Sequence, residues 1–128
     1  MEECHEKQII TNQAPAAIGP YSQAVRCGNL LFTSGAIPFD ADGNCSSDIA
    51  QQTRQCLKNV KAILAAAGAQ MADVVKVTCF IADMEQFATI NQVYSEFFAE
   101  PYPARSCVEV SRLPKDVGVE IEAIAIIK

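Results

Sequence analysis

The final strand-like segment constrains the fold most strongly. Residues 119–127 read VEIEAIAII, and a β-strand turns successive side chains to opposite faces of its sheet. One set of alternate residues is wholly aliphatic: Val119, Ile121, Ala123, Ala125 and Ile127. The other set begins acidic and ends aliphatic: Glu120, Glu122, Ile124 and Ile126. A strand that is apolar on both faces needs cover on both, so we expect helices on one face and a second subunit on the other.

The other strands are short runs separated by turn residues. They are predicted at residues 21–27, 30–37, 74–82 and 105–111. Gly28 and Asn29 join the first two as a hairpin. Gly35 interrupts the second of these strands, which predicts a bulge or a close approach of another group to the backbone.

Two segments between the strands have helical periodicity. Apolar residues recur at intervals of three and four between Asp48 and Gly68, and again from Met84 to Phe98. Pro101 stops the second helix. The predicted order is β-β-α-β-α-β-β, with a short extra strand allowed near the N-terminus. The fold class is therefore α+β, a mixed β-sheet with two helices packed on one face.

Length, composition and charge exclude several functional classes. A chain of 128 residues that is half apolar predicts a single domain over 1–128, with a flexible or irregular segment at 1–13. The net charge of -5 argues against general affinity for nucleic acid or anionic membrane. No apolar run reaches the roughly 18 residues of a membrane span. The N-terminus resembles neither a signal peptide nor a transit peptide, so we expect a cytoplasmic protein.

The cysteines and the histidine limit which catalytic and metal-binding groups the chain can supply. The six cysteines include no C-x-x-C pair, and a chain with an ample core and no secretion signal is expected to keep its thiols reduced. His5 is the only histidine and lies in a polar tail, which leaves little material for a Ser–His or Cys–His pair. We find no phosphate-binding loop and expect no metal and no cofactor. Arg, Glu, Tyr, Ser, Asn and Cys must carry any reaction.

Arg105 and Cys107 share one face of the fourth predicted strand. Arg105 is either a surface or ion-paired arginine, or a guanidinium whose rigid donor fork captures a carboxylate. Cys107 is either a small buried hydrophobe or a thiolate whose pKa the arginine lowers.

The acidic residues of the last strand also have two interpretations. Glu120 and Glu122 form a solvated edge, or one of them enters a cleft as a general acid or base. Tyr21 and Ser34 are explained by ordinary strand packing when each is taken alone. Asn91 lies within a predicted helix, where asparagine is a mediocre helix former, and this weakly suggests a role for its side chain.

Four segments together resemble the RidA family, the YjgF-like imine and enamine deaminases. The most specific is PARSCVEV at 103–110, followed by VEIEA at 119–123. GPYSQAV (19–25), FTSGAIP (32–38) and INQVYSEFF (90–98) add further matches in the same order.

This resemblance implies a chorismate-mutase-like α+β subunit in a homotrimer with a central β-barrel and sites between subunits. It implies hydrolysis of 2-imino acids and enamines, such as 2-iminobutanoate and 2-aminoacrylate, to 2-keto acids and ammonia without metal or cofactor. Arg105 then binds the substrate carboxylate, the backbone N–H of Cys107 assists, and Glu120 activates water. The matching pocket positions are Tyr21, Ser34, Gly35 and Asn91.

Two other functions stay open at this point. The same pocket suits a non-enzymatic regulator that binds small carboxylates, although the presence of Arg105 favours activity. Members of the resembled family have also been described as RNA-acting translation inhibitors or chaperone-like proteins. The acidic charge argues against RNA cleavage.

Overall fold

A mixed sheet of six strands with two helices on one face forms the chain, and the computed structural model describes residues 6–128. The strands are β1 (Glu6–Ile9), β2 (Ala24–Cys27), β3 (Leu30–Thr33), β4 (Val74–Ile81), β5 (Ala104–Glu109) and β6 (Val119–Ile126). The helices are α1 (Ile49–Ala66) and α2 (Phe87–Tyr94). The predicted α+β class is confirmed.

The strands lie in the order β1-β2-β3-β6-β4-β5. All neighbours pair antiparallel except β4 and β5, which are parallel. The short extra strand allowed by the sequence is present as β1, within the segment 1–13 that was expected to be irregular. His5 lies outside the described residues.

The centre of the core is the helix-facing side of β6. Val119, Ile121 and Ala125 are fully buried there, and α1 packs over them with equally buried Leu57 and Val60. Burying an aliphatic side chain of this size stabilises the fold by about 1.5–3 kcal/mol relative to leaving it exposed. The alternation predicted for the last strand is therefore present in the structure.

The ends of α1 follow local sequence signals. The Asp48 carboxylate accepts a hydrogen bond from the Gln51 N–H and so caps the first turn. Beyond the helix, Gly68 has a φ of 81°, a left-handed conformation that glycine adopts without strain. Both boundaries agree with the sequence prediction.

Neither described helix covers the second sheet face. Its side chains include apolar groups with large exposed fractions, among them Phe32 (42%) and Val108 (44%). Ile124 and Ile126 lie on this face and are partly exposed. The second subunit expected on this face stays a prediction.

The second helix is shorter than predicted. Helical apolar spacing runs to Phe98, but α2 ends at Tyr94 and a series of tight turns follows. Glu96 N–H donates to the Val93 carbonyl and Phe97 N–H to the Tyr94 carbonyl, which is the i→i−3 spacing of a tightened helix end. Apolar side chains in these turns still reach the core, and so the spacing alone overestimated the helix.

The cysteines divide into two groups. Four described cysteines are free thiols: Cys45, Cys56, Cys79 and Cys107. Cys27 is disulfide-bonded, so the expectation of reduced cysteines was wrong there. Cys27 is the register partner of Glu6 in the pairing of β1 with β2. Among the described residues, no helix has the length and apolar character needed to cross a membrane.

Candidate active site

Arg105 lies in an aromatic setting on the helix-covered side of the sheet. Its guanidinium carbon is 4.6 Å from the centre of the Tyr94 ring and 5.6 Å from that of Phe87, both on α2. Asn91 lies between these two residues on the same helix face. With Cys107, two residues along β5, these side chains form the group that we call the Arg105 cluster: Phe87, Asn91, Tyr94, Arg105 and Cys107.

The arginine has no carboxylate partner within residues 6–128. The two ion pairs there join Arg54 to Glu96 and Arg112 to Asp116. The structural ion-pair interpretation of Arg105 therefore finds no support in the described chain. A half-buried guanidinium held by aromatic rings, with its donors unpaired by acid, is suited to capture an anion.

Two buried polar atoms of the Arg105 cluster lack a hydrogen-bond partner in the described chain. They are the Oδ1 of Asn91 and the hydroxyl of Tyr94. Buried polar groups are nearly always paired, and each exception requires an explanation. A ligand or a second copy of the chain at this position would supply the missing partners. Asn91, which the sequence singled out only weakly, is thus one of two described residues with a buried polar atom that lacks a partner.

The thiols near Arg105 are in their neutral form at neutral pH. Burial raises the pKa of Cys107, and the Arg105 charge only partly opposes this rise. Burial raises the pKa of Cys79 to about 12, with a further contribution from Cys107. Burial likewise raises the pKa of Tyr94 to about 12. The cluster therefore offers neutral donors beside one fixed positive charge, and the thiolate interpretation of Cys107 loses its basis.

Glu120 lies in a separate cleft on the uncovered face of the sheet. We call this the Glu120 cleft, and its volume is about 410 Å³. The residues that line it are Ile18, Tyr21, Ser34, Gly35, Ile37, Pro114, Glu120 and Glu122. The structure thus brings together four of the predicted site residues here: Tyr21, Ser34, Gly35 and Glu120.

Gly35 approaches the Glu120 carboxylate more closely than any other residue type permits. A Cβ atom built on Gly35 would overlap the carboxyl group of Glu120. The approach is fixed by a bridge of two backbone hydrogen bonds between Ala36 and Ile121, at 2.7 and 3.1 Å. Ser34 is held next to it, because its hydroxyl donates to the Ser22 carbonyl at 2.6 Å. The close approach predicted at Gly35 is confirmed, and its partner is the candidate catalytic acid.

The environment of Glu120 favours its protonated form. Partial burial raises the pKa of its carboxyl group, and the neighbouring Glu122 carboxylate raises it further. A carboxyl group tuned upward in this way is better matched to proton transfer near neutral pH than a solvated one. Glu120 is only partly exposed, which favours the cleft interpretation of this side chain over the solvated edge.

The two sites lie on opposite faces of the sheet within one chain. Arg105 is the register partner of Val77 on β4, and Glu120 is the register partner of Phe80 on the same strand. Positions 77 and 80 differ by an odd number, so their side chains, and those of their partners, point to opposite faces. The resemblance implied that Arg105 and Glu120 act on one substrate at a site between subunits, and a common cleft for them can form only between two copies of the chain.

Several residues that shape the site were not singled out from the sequence. Asn59 on α1 is almost fully buried, and its amide donates to the carbonyls of Ile37 and Phe39 at 3.0 and 2.8 Å. This amide fixes the loop that borders the Glu120 cleft. The sequence offered one signal for Asn59, because an asparagine stands there on the buried face of a predicted helix. The contacts of Arg105 with Phe87 and Tyr94 could not be predicted from the sequence, which shows only the apolar spacing of α2.

No group of three or more His, Cys, Asp or Glu side chains in residues 6–128 is arranged to hold a metal ion.

Comparison with known proteins gives a consistent family assignment. The family model described as Endoribonuclease L-PSP matches residues 11–127. A 2-iminobutanoate/2-iminopropanoate deaminase of Escherichia coli K12 is 56% identical over 124 residues, which cover 94% of this chain and 97% of that protein. A RutC family protein of Haemophilus influenzae is 58% identical over 127 residues, covering 94% and 98%.

A solved structure matches equally completely. The crystal structure of E. coli TdcF with bound serine superposes with a TM-score of 0.92 at 53% identity, and it covers 95% of this chain and 99% of that one. Likeness at this level over nearly the whole length fixes both fold and ancestry. The chain therefore belongs to the Endoribonuclease L-PSP family, and the resemblance of its motifs to the RidA deaminases is confirmed.

Proposed function

We propose that this protein is a cytoplasmic deaminase that hydrolyses 2-imino acids and their enamine tautomers to 2-keto acids and ammonia. The observation that carries the proposal is the presence of two complementary half-sites. One is an unpaired guanidinium among neutral donors, and the other is a half-buried carboxyl group against a glycine. The E. coli relative is named for this activity, which supports the same assignment.

The half-sites can act on one substrate if two copies of the chain meet. We propose a homotrimer in which the Arg105 cluster of one copy faces the Glu120 cleft of the next. The uncovered apolar sheet face, with Phe32 and Val108 exposed, provides the surface for such an assembly. The buried atoms of Asn91 and Tyr94 that lack partners in one chain would find them at this interface or on the ligand.

The reaction needs positioning and one proton carrier. Arg105 holds the substrate carboxylate in a bidentate contact and so aligns the imine carbon with a water molecule. Glu120, in its ionised form, takes a proton from that water as the new C–O bond forms, and the C=N electron pair moves to nitrogen. The protonated Glu120 returns the proton to nitrogen. A second transfer through Glu120 carries the hydroxyl proton to nitrogen, the C–N bond breaks as the C=O bond forms, and ammonia and the 2-keto acid leave.

A competition assay tests this function. A threonine dehydratase generates 2-iminobutanoate in the presence of semicarbazide, which traps the imine, and the protein competes with the trap. Wild type should lower the trapped product, whereas Arg105→Ala should lose about 2–4 kcal/mol of binding, a 30- to 1000-fold fall in kcat/KM. Arg26→Ala is the matched control, because Arg26 lies on β2 and donates to the Gly28 carbonyl away from both half-sites.

The opposite result has a definite meaning. If folded wild-type protein does not compete with the trap, the deaminase proposal is wrong. Binding of short 2-keto acids that is lost in Arg105→Ala would then identify the pocket as a carboxylate-binding site without catalysis. Binding of RNA that weakens with salt would instead favour the nucleic-acid function.

A further inference from the structure

A second cavity opens behind the Glu120 cleft. Its volume is about 260 Å³, and it shares with the cleft Ile18, Tyr21, Ser34, Gly35 and Ile37. The two spaces therefore adjoin, with these residues as common walls. Glu120 itself lines the cleft and does not line the cavity. A substituent that extends from a substrate at Glu120 past these walls would enter a space with no catalytic group.

Two polar side chains of the cavity wall, Gln23 and Ser34, are already hydrogen-bonded within the chain. The Gln23 amide accepts from Thr11 N–H and donates to the carbonyls of Thr11 and Pro15, at 2.8–3.1 Å. The Ser34 hydroxyl donates to the Ser22 carbonyl. These bonds hold the arm that precedes β2 against the sheet and engage the polar atoms of both side chains. An occupant therefore gains little from polar groups on this side.

The two charged residues of the cavity also have partners within the chain. The Asp40 carboxylate accepts hydrogen bonds from the N–H groups of Asp42 and Asn44 at 3.0 and 2.8 Å. The Lys115 ammonium lies 4.8 Å from the centre of the Phe39 ring. The remaining walls are aliphatic or aromatic, so the cavity suits an apolar group.

We propose that this cavity is the subsite for the substrate side chain, and that it favours apolar side chains of three or four carbons over a methyl group. The proposal rests on the proposed function. A water-sized group needs on the order of 10–15 Å³ of such space, so the methyl group of 2-iminopropanoate, which is of similar size, would leave most of the 260 Å³ unfilled. Each further methylene that enters should strengthen binding about fourfold.

A binding series tests the subsite without requiring catalysis. Pyruvate, 2-oxobutanoate, 2-oxopentanoate and 2-oxohexanoate are titrated into the native assembly by calorimetry. The association constant should rise about 60-fold over the three added methylenes. A kinetic series follows the corresponding 2-imino acids, made from alanine and its longer homologues by an amino-acid oxidase with catalase, in competition with semicarbazide.

Two variants change the cavity in opposite directions. Ala17→Phe adds a ring at the cavity wall and should remove the dependence of binding and of hydrolysis on chain length. Phe39→Ala enlarges the cavity and should move the preferred ligand and substrate to a longer chain. Ala65→Phe is the matched control, because Ala65 is exposed on α1 away from the cavity, and its series should parallel wild type. Thermal unfolding of each variant separates loss of fold from loss of the subsite.

The outcomes separate this proposal from the proposed function. A wild-type binding series that does not rise with chain length overturns the subsite, as does an Ala17→Phe variant that weakens all four ligands by the same factor. If binding rises with chain length but no imine is hydrolysed, the subsite stands and the deaminase function fails. If 2-iminopropanoate is hydrolysed but longer imines are not, only the subsite fails.

Discussion

Arg105 and Glu120 point to opposite faces of one sheet, and this separation predicts how mixed assemblies behave. If each active site takes its arginine from one copy and its acid from another, two inactive variants should complement each other. Arg105→Ala subunits still carry an intact Glu120 cleft, and Glu120→Gln subunits still carry an intact Arg105 cluster. Together they can rebuild a complete site at a shared interface.

The expected recovery of activity follows from the fraction of sites that are complete. In a random 1:1 mixture, a given site receives an intact arginine half with a chance of one half, and an intact acid half with the same chance. About a quarter of the sites in any closed ring are then complete, and in a trimer selected to contain both variants one site in three is complete. Each variant alone should fall 30-fold or more if about 2 kcal/mol or more is lost. The mixture should therefore exceed both parents by roughly tenfold or more.

The assay is the semicarbazide competition, run on differently tagged variants that are co-expressed and purified through both tags. A mixture of Arg105→Ala and Asn91→Ala is the matched control. Both changes lie in the Arg105 cluster, so no site in it is wholly intact and no recovery is expected. Activity that stays at the mean of the two parents, in assemblies proven to contain both tags, would refute the shared site.

Three further predictions test individual contacts. Glu122→Gln removes the like charge that raises the pKa of Glu120, so the acidic limb of the kcat/KM profile should move to lower pH; an unmoved limb would assign that ionisation elsewhere. Gly35→Ala should lower kcat at least tenfold by displacing the Glu120 carboxyl group, yet change urea stability by less than about 1 kcal/mol, because that carboxyl group ends a flexible side chain. Asn59→Ala strands two carbonyls and should lose about 1–3 kcal/mol in urea unfolding, whereas a loss below 0.5 kcal/mol would mean that water replaces the amide.

The pH dependence of Glu120 has a sign that can be stated for stability as well. Its folded-state pKa lies above the usual value for a glutamate. Ionisation of this group therefore costs folding free energy, and the cost is present above the folded pKa and disappears as the pH falls below the unfolded value. Glu120→Gln should accordingly not destabilise the protein at neutral pH, which thermal unfolding would show.

Patterns confined to neighbouring residues were sufficient for most of the fold. Alternation fixed which residues of β6 face the helices, and helical spacing with Asp48 and Gly68 fixed both ends of α1. The same spacing overestimated α2, because turns beyond Tyr94 also direct apolar side chains to the core. A periodic pattern reports burial, and burial alone does not distinguish a helix from a compact turn.

The candidate residues and the acidic character of the chain were determined by the sequence itself. Arg105, Glu120 and Gly35 stand in motifs that can be read residue by residue, and a glycine within a strand predicts a close approach. What approaches Gly35 was decided by the bridge between Ala36 and Ile121, whose partners lie far apart in the chain.

Only the tertiary structure decided that the arginine and the acid belong to different faces. Their relative orientation depends on the registers of β5 and β6 against β4, and a shift of one residue in either register would have reversed it. Register is set by long-range pairing and by burial of one whole sheet face, and neither is encoded at the two residues themselves. The sequence therefore determined which groups are available for chemistry, and strand pairing determined that one chain cannot bring them together.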